Sequence, residues 1–103
     1  MKKYDIRITA SAAADMQEIY EYIAVSLQAP DNAMAQYDRI AEAIMSLETM
    51  PNRVKIMDFT SKSNPELRRM LVDNYSVFFV IENDSVIVTN VLFSASEIES
   101  RLK

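Results

Sequence analysis

The sequence predicts an α+β fold: an N-terminal strand, an antiparallel helical hairpin, and a three-stranded antiparallel meander completing one sheet, followed by a short C-terminal helix. Three observations predict it. Apolar and polar residues alternate at the start of the chain, as they do in a half-buried strand. The apolar period then lengthens to three and four residues over two stretches separated by Pro30-Asp31. From Leu67 to Phe93, three strand-like runs, the second and third rich in β-branched and aromatic residues, are divided by Asp73-Asn74 and Asn83-Asp84. At 103 residues, 50% of them hydrophobic and 25% charged, the chain is expected to form one domain over 1–103. Such a chain can bury a core without covalent staples.

Each element has its own signal. Tyr4-Asp5-Ile6-Arg7-Ile8-Thr9 is the opening strand, and Thr9 or Ser11 can cap the helix after it by accepting from a free backbone N–H. Ala12, Met16, Ile19, Tyr20, Ile23 and Leu27 form its apolar stripe, while Asp15, Glu18 and Glu21 place negative charge in its early turns. Asp31 is the expected cap of the second helix, whose stripe is Ala33, Tyr37, Ile40, Ile44 and Leu47 and whose stop is Pro51. The short connection favours an antiparallel hairpin. Met34, Met45 and Met50 are expected to fill gaps in the core. Residues 52–65 read as the loosest stretch, with a short strand at Lys55–Phe59. Strands follow over 67–72, 75–81 and 86–93; the second is apolar on both faces and belongs inside the sheet. Asp-Asn and Asn-Asp tolerate left-handed backbone, so both turns can form without glycine. Ser94-Ala95-Ser96 then caps a last helix through Glu97-Ile98-Glu99. The helices are expected to pack on one face of an antiparallel sheet.

Composition excludes several kinds of chemistry. The sequence has no Cys and no His, so it holds no disulfide, no thiolate or imidazole metal site and no His-dependent triad. It has no Gly, which removes glycine-rich phosphate loops. No metal, cofactor or small-molecule cofactor is expected. No apolar run approaches the roughly 20 residues of a membrane helix, and the N-terminus lacks an apolar signal core. A cytoplasmic location with no membrane partner is therefore expected. The net charge of −4 argues against free-standing nucleic-acid binding, which draws its affinity from phosphate neutralisation. Basic residues nevertheless gather between Arg53 and Val72, where Arg53, Lys55, Lys62, Arg68 and Arg69 outnumber Asp58 and Glu66. That stretch is either a face for a polyanion or acidic peptide, or an ordinary solvated surface.

These phrases, in this order, resemble the RelE/ParE toxin superfamily of bacterial type II toxin–antitoxin systems, which includes plasmid stabilisation proteins. The likeness covers nearly the whole chain. Asp15-Met16-Gln17-Glu18-Ile19-Tyr20-Glu21-Tyr22-Ile23 is similar to the first helix of that family, and Arg39-Ile40-Ala41-Glu42-Ala43-Ile44 with Leu47 and Met50-Pro51 to its second. Leu67-Arg68-Arg69-Met70-Leu71-Val72, with Asn74-Tyr75 and Val77-Phe78-Phe79, is similar to its central strands. The resemblance implies a toxin neutralised by a cognate antitoxin that wraps its surface. The implied target is DNA gyrase for ParE-like members, or messenger RNA cut at the ribosome for RelE-like members.

The chain departs from the family where RelE-like nucleases carry their chemistry. Ser76 stands where the family commonly has Arg, Phe79 where Tyr is frequent, and Phe93-Ser94-Ala95-Ser96 where members often carry His or Lys, Gly and Arg. RNA cleavage needs a base for the 2′-hydroxyl, cations for the phosphorane and an acid for the leaving oxygen. Whether the chain is an enzyme stays open. Inhibition of the ParE kind is the first reading; RelE-like mRNA cleavage and a non-toxic binding module are the alternatives. Candidate contacts to a target or to RNA are Arg53, Lys55, Arg68, Arg69 and Tyr75. Adjacent strand residues point to opposite faces, so only one of Arg68 and Arg69 serves a given face. Arg69 matches the family's basic position better. Either arginine could instead pair with acids of the antitoxin or of the chain itself, and Tyr75 reads first as a core or rim aromatic, then as an acid beside Glu97.

Overall fold

A computed structural model describes residues 2–57 and 66–93. The first strand, β1 (Asp5–Ile8), leads into α1 (Ala10–Glu21). The Thr9 hydroxyl caps that helix, accepting from Ala12 N–H at 3.1 Å and donating to the Thr89 carbonyl at 3.2 Å. At Tyr22–Ser26 the helix widens into a π turn, with Leu27 N–H reaching back five residues to Tyr22 C=O at 3.1 Å. This extra residue per turn rotates the apolar stripe. Ile23 stays buried, but Leu27, expected in the stripe, is exposed.

The second helix, α2 (Pro30–Met45), begins differently from expectation. Ala29 is its cap and Pro30 its first residue, while Asp31 sits in the first turn, where proline's fixed φ and an acid near the helix dipole are both favourable. Ala33, Ile40, Ile44 and Leu47 are buried as expected. Tyr37 instead lies on the outer seam, edge-to-face with Tyr20 of α1 at 6.2 Å, and Gln36 takes the inward place. Gln36 and Arg39 both donate to the Asp73 carboxylate, at 3.1 and 2.8 Å, which ties α2 to the first turn of the meander. The three methionines expected to fill the core do not. Met34, Met45 and Met50 are 50%, 53% and 59% exposed, and the buried methionine is Met16 of α1. The compact aliphatic and aromatic side chains of the sheet fill the space without them.

The meander comprises β2 (Arg68–Val72), β3 (Tyr75–Glu82) and β4 (Ser85–Leu92). The sheet order is β1-β4-β3-β2, so β3 is interior, as its two-sided apolar character predicts. The expected antiparallel sheet contains one parallel pair: β1 runs alongside β4, Asp5 opposite Ser85 and Ile8 opposite Val88. The two helices carry the chain across one face and return it in the direction that requires this. The strand expected at Lys55–Phe59 reduces to one antiparallel bridge, Ile56 to Arg68, and a bond from Met57 N–H to Leu67 C=O at 2.8 Å. Phe59, Lys62 and the expected C-terminal helix with Glu97 lie outside the described residues.

Sheet alternation divides the core. Tyr75, Val77 and Phe79 of β3, with Val86, Val88 and Val91 of β4, pack against Ala12, Met16, Ile40, Ile44 and Leu47. On the far face Phe78 packs with Leu67 and Leu92. A bulge between Phe78 and Phe79 in the β3–β4 register leaves Thr89 as the extra residue and increases the local twist.

With no glycine in the chain, four other residues adopt left-handed backbone: Gln28 (φ 52°), Met50 (φ 50°), Asp73 (φ 56°) and Asn83 (φ 56°). Asp and Asn tolerate this region; Gln and Met have no such licence. Replacing Met50 by Gly should stabilise the fold by about 0.5–1 kcal/mol, since its exposed side chain buries little and a Cβ clash is removed. A thermal melt that rises for Met50→Gly but falls for Met50→Val checks this.

Candidate functional site: the Arg69 face of the sheet

The hairpin register decides where each candidate points. Val72 faces Tyr75, Leu71 faces Ser76, Met70 faces Val77 and Arg69 faces Phe78. Met70, Val72 and Tyr75 belong to the helix side. Arg69 and Leu71 therefore stand on the far face, with Ser76 and Phe78, and Arg68 stands on the helix side.

Arg68 is committed to structure. Its Nη1 donates to the Asn52 carbonyl at 3.3 Å and to the Val54 carbonyl. Arg53 is similarly occupied: Nη1 donates to the Thr49 and Met50 carbonyls at 2.8 and 3.0 Å, and Nη2 to Ser46 Oγ at 3.3 Å. These two guanidiniums satisfy carbonyls left open where the chain leaves α2, the role basic groups commonly take near a helix C-terminus. They brace the path to β2.

Arg69 is different. Its Nε donates to Ser76 Oγ at 2.8 Å, and no acid pairs with it among the described residues. Beside it on the same face, Leu71 is 67% exposed. Lys55 is exposed and immediately precedes the bridge to β2. The far face at β2 thus offers a held guanidinium, an apolar side chain and an ammonium close by in sequence to the bridge.

Tyr75 lies on the opposite side of the sheet. It is 8% exposed and stacks obliquely on Phe93 at 5.3 Å. It lines a cavity of about 300 Å³ with Asp15, Glu18, Ile19, Tyr22, Val91 and Phe93. Burial first, and the neighbouring Tyr22 second, push its phenol above the ordinary tyrosine value. The structure thus brings Arg69 and Ser76 together, leaves Arg53 and Arg68 bound to carbonyls, and puts Tyr75 beyond reach of Arg69.

Two residues were missed as participants by sequence reasoning. Ser76 departs from the family's Arg, but the Asp73-Asn74 turn fixes the register that sets it diagonally across from Arg69 on one face. From its spacing Asp15 is expected only to place charge in the early turns of α1. It is buried, and its Oδ2 accepts from Val91 N–H at 3.0 Å and from Asn90 Nδ2 at 3.4 Å. No sequence spacing marks that contact. Among the described residues, no cluster of three acids gathers as metal ligands, and no helix is long and apolar enough to cross a membrane.

Asp73 adds a pH-sensitive link. Hydrogen bonds from Arg39 first and Gln36 second hold its carboxyl below the usual aspartate value. A carboxylate whose folded pKa is depressed contributes stability above its unfolded pKa and loses it as pH falls through the folded pKa. Stability should therefore fall as pH drops from the ordinary aspartate value through the lowered one of Asp73, and Asp73→Asn should flatten that acid limb. Urea midpoints measured from neutral pH down to strong acid check the slope.

This fold, a hairpin of two helices laid on a four-stranded sheet, overlays chains of several solved toxin–antitoxin systems. The fold overlays a chain of the chromosomal ParDE toxin–antitoxin system from Pseudomonas aeruginosa with a TM-score of 0.75 at 20% identity, covering 88% of this chain and 96% of that one. A chain of the RelBE2 toxin–antitoxin complex from Mycobacterium tuberculosis overlays with a TM-score of 0.63 at 18% identity, covering 92% and 95%. One from the archaeal RelE–RelB complex of Pyrococcus horikoshii gives 0.60 at 14% identity, covering 90% and 97%. No curated protein sequence matches the chain. The family model for the ParE toxin of the type II toxin–antitoxin system, parDE, matches residues 6–97, and the chain belongs to that family.

Proposed function

We propose that this ParE-family toxin acts in the cytoplasm, is neutralised by a cognate antitoxin, and inhibits its target by binding it, with DNA gyrase as that target. One observation carries the choice of binding over RNA cleavage. Arg69, an exposed cation of the sheet, and Tyr75, its acid candidate, stand on opposite faces, and burial makes the phenol of Tyr75 a weaker acid than an ordinary tyrosine. Cleavage through a 2′-hydroxyl needs its cation, base and acid around one phosphate. Binding asks only for a shaped surface. Arg69 beside Leu71 supplies a charged and apolar pair of the kind that anchors protein interfaces.

Inducing the chain alone should arrest growth, and co-expressing its antitoxin should restore it. In the same cultures, gyrase supercoiling should fall while message 5′ ends stay unchanged. New message ends at ribosome-bound codons with supercoiling intact would replace this reading with the RelE-like one. Unimpaired growth at good soluble expression would leave a binding module.

A further inference from the structure

Ser76 is a polar side chain in an apolar strand. It is 2% exposed, lies on the interior strand β3 and faces Leu71 on one side and Leu92 on the other. A buried hydroxyl there needs a partner, and it has one in Arg69 Nε at 2.8 Å. Arginine has a long, mobile side chain, and bonding its Nε to a fixed strand residue orients the planar guanidinium. That bond engages the single Nε–H and leaves the two amino groups as donors.

We propose that Ser76 is a positioning residue for Arg69: it pins the guanidinium at Nε so that the remaining N–H groups meet a carboxylate on a protein partner. This rests on the toxin reading above. A guanidinium fork matches a carboxylate in two parallel hydrogen bonds, and preorganisation preserves more of their strength. The partner is a protein because the neighbour on the same strand face is the exposed Leu71. The basic residues Arg53 and Arg68 are spent on main-chain carbonyls, and a chain of net charge −4 is poorly suited to a polyphosphate.

The test is a double-mutant cycle read as the inducer dose that halves growth rate. Arg69→Ala should raise that dose about tenfold or more, and Ser76→Ala by about three- to tenfold, the scale of the net contribution of one ordinary hydrogen bond. Ser76→Thr keeps the hydroxyl and should stay within about twofold. Because Ser76 acts through Arg69, Ser76→Ala should add nothing in the Arg69→Ala background; an additive double variant overturns the proposal, since a merely structural role would persist there. In the purified chain, the Arg69 Nε–H resonance should exchange slowly and lose that protection in Ser76→Ala. An unaltered resonance overturns the pinning. A polyglutamate peptide should shift this resonance and a short RNA should not; the reverse, or no response to polyglutamate, overturns the carboxylate. A native chain that leaves growth untouched sinks the toxin reading, while the resonance still decides the pinning separately.

Discussion

Replacing Phe79 by alanine should cost about 3–5 kcal/mol of folding stability, the range seen when a buried aromatic side chain is truncated. Phe79 is completely buried, on the interior strand, opposite Arg68 on one side and Val88 on the other. It sits in the cluster that joins the sheet to both helices, so the void would open where the two layers meet. Total stability of a domain of this size is about 5–15 kcal/mol, and the variant would approach the limit of folding at all. Urea unfolding should show the midpoint falling with little change in slope. Leu71→Ala on the exposed far face is the control, expected within about 0.5 kcal/mol. Equal losses at the two positions would refute this account of the core.

Removing the Asp15 carboxylate should have the second-largest effect. Strand β1 ends at Ile8, and Thr9 N–H still reaches the Val88 carbonyl at 3.1 Å. Beyond that point no strand among the described residues flanks β4 on this side, and without Asp15 the Val91 N–H would be an unpaired buried donor. Asp15 supplies the acceptor from α1 at 3.0 Å. Asp15→Ala should cost about 2–3 kcal/mol, because a side-chain hydrogen bond is lost and the buried amide is left without a partner. Asp15→Asn keeps a carbonyl oxygen in place and should recover part of the loss. Hydrogen exchange at the Val91 amide separates the two: fast in the alanine variant, intermediate in the asparagine one, slow in the native chain.

Much of the architecture was legible because it is written in short-range patterns. Thr9 as a cap, the buried Ala33-Ile40-Ile44-Leu47 stripe and the two turns at Asp73-Asn74 and Asn83-Asp84 are each decided by residues within a few positions of one another. The failures share a cause. The π turn at Tyr22–Ser26 shifts the helical period by one residue, so Leu27, in phase with the stripe on paper, falls outside it. Met34, Met45 and Met50 were assigned to the core by hydrophobicity alone, whereas burial depends on which face the sheet covers. The parallel β1–β4 pair and the Asp15–Val91 bond join residues more than seventy positions apart, a separation at which local periodicity is silent. The site was legible by half. Arg69 could be chosen over Arg68 from strand alternation, but the commitment of Arg53 and Arg68 to carbonyls depends on the path of the chain between α2 and β2.

The parallel pairing of the first strand with the last has a consequence for how the toxin is made. Thr9 bonds to a carbonyl 80 positions later, at Thr89, and among the described residues β1 pairs with β4 alone. Non-local pairing of this kind comes late, after a large loop has closed. A nascent chain cannot complete its sheet until β4 has cleared the ribosome exit tunnel. Until then the strand carrying Arg69 belongs to an unfinished sheet, and the folded surface it presents does not yet exist.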